Sequence, residues 1–420
     1  MADIILALSV ALGFLLGVCS GLTPGLHTNN FAALMLALYP TFLEMGFHPF
    51  DLAAAILAAS VAHTFLDIIP SIFIGAPDAD TALAVLPGHQ MMLDGRGIEA
   101  VRLSALGSAS SILVALVLIV PLSHLFGTFY ETFMDHVAIV LLAIAALMIM
   151  TERGRVVEGQ GSLVHLKYKI FAVALFLTSG YLGLFAFGHQ NLASSPLGFR
   201  PEVLLPLLGG LFGASILLLS LASKSEIPAQ RDTGFDLPAR SIGRAAFLGG
   251  LAGSVVAWVP GVTPAVATVV TRLGSEGSDR EFLVSVSGVN TANALFTLVA
   301  LLVVGRARSG AAVAVEELVE MDGHILLVMV TIVLFVSILS YFATLSAGRA
   351  AAKVVRRLKY RMICISVLAF LTGMTFCFAG PFGLFLYFVS AVVGLVAPFA
   401  GIRKTHAMGV LMVPLLAYYL

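Results

Sequence analysis

GLTPGLHTNN, residues 21–30, interrupts an apolar run that otherwise reads as a membrane helix, and WVPGVTP, residues 258–264, interrupts a second one. A bilayer core offers no water to an amide or carbonyl freed by Pro-Gly. A break there is tolerated only where the freed groups meet protein or line a cavity. Pro24-Gly25 and Pro260-Gly261 lie 236 positions apart, and at that spacing Gly13, Gly17 and Gly21 fall on Gly249, Gly253 and Ala257. Small residues at every fourth position let another helix backbone come close. Further along, GAPDADTALAV (75–85) resembles GRARSGAAVAV (305–315) at a spacing of 230, the difference being absorbed by a longer loop at 40–51. The breaks therefore read as one device used twice.

Composition agrees with a membrane setting. Of 420 residues 59% are hydrophobic and 11% charged, against about 25% charged in soluble domains, so the chain cannot cover itself with a polar surface. The reading is an all-α polytopic protein of the cytoplasmic membrane. The formal charge is zero, with no basic stripe and no zinc-ligand spacing, which argues against nucleic-acid partners and a bound metal. Cys19, Cys364 and Cys377 sit in apolar runs and are expected to be small buried hydrophobes. No Lys or Arg precedes Arg96, so the first run lacks the basic start of a cleavable signal peptide.

A crossing helix needs about 20 apolar residues. The candidate spans are 52–75, 104–124, 136–150, 170–187, 203–222, 283–304, 324–343, 362–380, 383–402 and 405–420, and 3–39 and 245–271 read as re-entrant helix-break-helix hairpins. Basic loops at 152–169, 224–244 and 349–361, with Arg403 and Lys404, belong on the cytoplasmic side by the positive-inside rule. That count closes only if both hairpins return to their own side, with the acidic loop 305–323 outside. Each half is then a Pro-Gly hairpin plus about five crossings: residues 1–223, a cytoplasmic linker at 224–244, and residues 245–420. Five is odd, so the second copy enters from the opposite face, the inverted-topology repeat common among secondary transporters.

Broken helices expose half-helix termini whose amides suit an anion. After the first break stand His27, Thr28, Asn29 and Asn30; after the second, Thr263 and Pro264. Thr28 and Asn29 serve equally as plain helix caps, and capping is compatible with binding. His63 and Asp67 form an i,i+4 pair on an apolar helix. Intramembrane ionisable groups point to function, here coupling to H+ or Na+, although a structural ion pair fits the same spacing. Their counterparts in GVNTANALFT (288–297) are Asn293 and Thr297, with Asn290 close by. Asp78 and Asp80 read as a solvated turn or a cation site, and Arg272 as a snorkelling residue or a partner for substrate carboxylate. No soluble catalytic constellation, phosphate-cradling glycine loop or other cofactor motif appears, so the chain reads as a non-enzyme that does not itself use ATP.

The order of the pieces resembles the TctA family, the large membrane permease subunit of tripartite tricarboxylate transporters, and its shorter archaeal-type members. The matching segments are GLTPGLHTNN, IIPSIFIGAPDADTA, LPGHQMMLDGRG with the following ALGS, WVPGVTP and GVNTANA. GRARSG stands where the family usually carries a further Pro-Gly-rich loop. The resemblance implies a small membrane subunit and an extracytoplasmic binding protein as partners.

The expectation is a secondary active transporter for a small organic anion such as a carboxylate. Its binding residues are Pro24, Gly25, His27, Thr28, Asn29, Asn30, Pro260, Gly261, Thr263, Asn290 and Asn293, and its coupling residues His63 and Asp67. The alternative is a translocase for a lipid-linked phosphate such as a polyprenyl phosphate, since amides that hold a carboxylate also hold a phosphate. Membrane lipid is a partner in either case, and a homodimer is open.

Overall fold

The computed structural model describes every residue except 1, 25–31, 33–34, 37, 77–81, 153, 155–161, 197, 199–200, 202, 223–226, 233, 235–236, 260–263, 275–277 and 308. Among the described residues there are helices and turns and no strand. The first half comprises α1 (Ala2–Leu22), the short α2 (Tyr39–Glu44), α3 (Pro49–Ile74), α4 (Val85–Leu93), α5 (Gly97–Asp135), α6 (Val137–Met150), α7 (Ser162–Gly188) and α8 (Leu204–Ala222). The second comprises α9 (Ala239–Val256), α10 (Pro264–Gly274), α11 (Asp279–Val304), α12 (Gly310–Leu318), α13 (Gly323–Val355), α14 (Tyr360–Ala400) and α15 (Gly409–Tyr419). Eight of the described helices are long and apolar enough to cross a membrane.

Two helix pairs share a register, α1 with α3 and α9 with α11. α3 and α11 are both 26 residues long, start 230 positions apart, and are the two most enclosed spans. In the first half Gly13 and Gly17 of α1 press onto the carbonyls of Ala55 and Ala59, and in the second Gly249 and Gly253 of α9 press onto those of Ser285 and Val289. These targets are themselves 230 positions apart. A Cβ at any of the four glycines would collide with backbone. Gly253→Ala is therefore expected to lower stability by about 1–3 kcal/mol, the usual cost of overpacking, read as a fall in melting temperature of the purified protein.

The two central helices run oppositely. Phe73, at the end of α3, lies against Gly97. Next to Gly97, Glu99 binds Arg280 in the first turn of α11 at 2.9 Å. So α3 ends where α11 begins. The same end gathers the charged loops: Arg96 on Glu99 at 2.8 Å, Arg244 on Glu281 at 3.0 Å, and Arg102 with Arg349 on Asp232. Gln230 pins the linker there, accepting from Gly97 N at 2.8 Å and donating to Met92 O at 2.9 Å.

Several lengths differ from expectation. The span expected at 104–124 is the 39-residue α5, about 58 Å at 1.5 Å per residue, because Pro121 is accommodated inside it. Residues 136–150 form the 14-residue α6. Residues 360–400 form one helix by hydrogen bonding, yet the chain reverses at Gly380 (φ 62°, ψ −155°), and a Cβ on Gly383 would reach the Thr375 carbonyl oxygen at 3.3 Å. α14 thus makes two passes, as 362–380 and 383–402 anticipate. The last expected span, 405–420, is a 3-10 turn at Lys404–Met408 followed by the 11-residue α15, because the polar residues 403–406 are drawn into a buried knot described below. Cys364 is buried as expected, but Cys19 is exposed, since the outer face of α1 is uncovered.

Candidate functional site

Where α3 and α11 cross, both contribute polar side chains to an otherwise apolar interior. Pro70 has no amide for the Leu66 carbonyl, so α3 is interrupted at Asp67 and resumes at Ile68. This interruption places the Asp67 carboxylate in the bundle, 3% exposed. Its Oδ2 accepts from Nδ2 of Asn290 on α11 at 2.8 Å. One turn back, the hydroxyls of Thr64 and Thr291 meet at 3.3 Å. α3 and α11 are thus joined by a carboxylate–amide bond and a hydroxyl pair.

His63, also 3% exposed, faces α1. Its Nδ1 lies 3.0 Å from Oγ of Ser20. The same hydroxyl lies 3.2 Å from Gly17 O. Ser20 stands in the last turn of α1, just before the turn at Thr23 and Pro24. At the second break Trp258 is fully buried. It stacks on Phe126 with centroids 4.7 Å apart and meets Phe296 of α11 edge-on at 6.2 Å. This aromatic anchor fixes where α9 stops, and α10 packs back against α9 and α11.

Of the sequence-based site residues, His63, Asp67 and Asn290 come together around this crossing. Asn293 is half-buried on the same helix and makes no side-chain hydrogen bond among the described residues. Pro24 sits in the turn that ends α1. Gly25, His27, Thr28, Asn29, Asn30, Pro260, Gly261 and Thr263 lie outside the described residues, as do Asp78, Asp80 and the side chain of Arg272. Sequence reasoning missed Ser20, Thr64 and Thr291, whose hydroxyls look like any helical Ser or Thr. It also passed over His89, in LPGHQ. That ring bonds Ile72 O through Nδ1 at 2.8 Å and Tyr360 Oη through Nε2 at 2.7 Å. Burial lowers its pKa despite the Ile72 bond, so His89 stays neutral and latches α4 to α3 and α14. Among the described residues no group of His, Cys, Asp and Glu is arranged to hold a metal.

Comparison with known proteins gives a relative and a family. An uncharacterized protein of Methanocaldococcus jannaschii is 25% identical over 98% of each chain. No solved structure matches. Residues 7–409, which include both breaks, α3 and α11, match the tripartite tricarboxylate transporter TctA family. The chain belongs to that family of multi-pass membrane permeases.

Proposed function

We propose that this permease is a secondary active transporter for a small organic anion of the carboxylate class, driven by H+ or Na+. The observation that carries the reading is the Asp67–Asn290 bond, which ties the antiparallel, register-matched helices α3 and α11 together. Opposed equivalent helices are what an inverted repeat produces, and substrate and ion sites of such transporters lie at the repeat interface. In this reading the amides freed at Pro24-Gly25 and Pro260-Gly261, with His27, Thr28, Asn29, Asn30, Thr263 and Asn293, receive the anion. Asp67, oriented by Asn290, and His63, oriented by Ser20, hold the coupling ion. The arginine-rich end is cytoplasmic. The family name implies companion subunits, here a small membrane subunit and an extracytoplasmic binding protein that delivers the anion.

Reconstituted in proteoliposomes, the protein is expected to accumulate labelled citrate or succinate when a proton or sodium gradient is imposed, and to stop when the gradient is collapsed. Vesicles that ignore both carboxylates and instead move a polyprenyl phosphate between leaflets would overturn the reading.

A further inference from the structure

A second polar centre, away from the α3–α11 crossing, lies at the arginine-rich end. After α14 the segment Gly401–Met408 turns inward. Lys404 is buried there, and its Nζ donates to Oγ of Ser215 on α8 at 2.6 Å while lying 5.8 Å above the Phe212 ring. Ser215 in turn donates to Leu211 O at 2.5 Å. An ammonium has three hydrogens, and among the described residues Ser215 is its only hydrogen-bond partner. No carboxylate among them reaches it.

The Glu152 carboxylate, on the wall of a cavity it shares with Lys404, is already committed. Glu152 receives Nε2 of His406 at 2.6 Å, Nε of Arg403 at 3.1 Å, Gly154 N at 2.7 Å and Arg403 N at 3.1 Å. Asp279, the other acidic residue on the wall, is exposed at the rim. Lys404, Ser215, Phe212 and Gln90 line a cavity of about 550 Å³ that reaches this rim, well within the range of small-molecule sites. A buried cation facing such a space without a counter-charge among the described residues is costly, and burial pushes the Lys404 ammonium down to about 7. An anion in the cavity would remove that cost.

We propose that this cavity is an anion-binding subsite for a small carboxylate, with Lys404 as its cationic anchor, Ser215 holding the ammonium in place and Arg403 at its rim. As the cytoplasmic station of the transported anion it rests on the transport reading; as a binding site it does not.

The test uses the full chain with Cys19 and Cys377 changed to serine and Gln90→Cys as a reporter on the cavity wall. Citrate is expected to slow maleimide labelling at position 90 about tenfold when present at ten times its Kd. Lys404→Met should abolish the protection and Lys404→Arg should retain much of it. Lys404→Met should melt at or above the parent temperature, since a buried charge is removed, which separates loss of binding from loss of fold. Protection that survives Lys404→Met, or that only a lipid phosphate confers, overturns the proposal. Lys404-dependent protection by citrate in a protein that transports no carboxylate would uphold the site and sink the transport reading.

Discussion

Asp67→Asn is expected to lower gradient-driven accumulation about 100-fold, the scale of a coupling energy of 1–3 kcal/mol, while exchange of internal for external anion continues. The substitution keeps the shape of the side chain and, facing Asn290 at what is now a 2.8 Å contact, still permits an amide–amide bond. What it removes is the charge that would take up H+ or Na+. Accumulation and exchange measured in the same proteoliposomes separate the two effects, and undiminished accumulation would rule Asp67 out as the coupling group. Asn290→Ala acts differently, because it strips a donor from a buried carboxylate. Truncating one partner of such a pair costs about 2–5 kcal/mol, so its melting temperature should fall. The double variant should recover part of that loss, since no stranded charge remains.

Glu152→Ala is expected to be the most damaging single change to stability, by about 3–5 kcal/mol, the cost of breaking a buried ion pair from one side. Four donors converge on this carboxylate, two of them from Arg403, and together they hold the end of α14 against the end of α6. Burial alone would raise its pKa, but the His406 bond, the amides of Gly154 and Arg403 and the Arg403 charge outweigh burial and hold it at about 2. A carboxyl depressed in the folded state stabilises above its ordinary pKa of 4.5 and loses that contribution as pH falls toward 2. The gap between parent and Glu152→Ala should therefore be full at neutral pH and close progressively below 4.5. A gap that persists unchanged at pH 3 would contradict this account.

The matched glycine register was legible because its signals are backbone signals. Pro-Gly breaks a helix wherever it stands, and a small residue every fourth position allows close approach whatever the partner, so α1 and α9 could be paired by register alone. His63 and Asp67 stood out because ionisable groups are rare in apolar helices. Partner identity was not legible. Asn290 is 223 positions from Asp67, and nothing local distinguishes it from Asn293 three residues on. Ser20, Thr64 and Thr291 were invisible because a helical hydroxyl can always bond its own backbone. Lys404 was read only as part of a cytoplasmic basic cluster with Arg403. Its burial depends on the reversal at Gly380, which returns the chain to α8, and no count of apolar residues shows where the returning segment will dock.

The crossing of α3 and α11 has a mechanical consequence. Thr291 stands at the middle of the 26-residue α11, and its contact with Thr64 is a pair of short hydroxyls. Under the transport reading, a contact this small would act as a pivot: tilting α11 about it would draw helix ends together on one face and spread them on the other, so that closing toward one compartment would open toward the other.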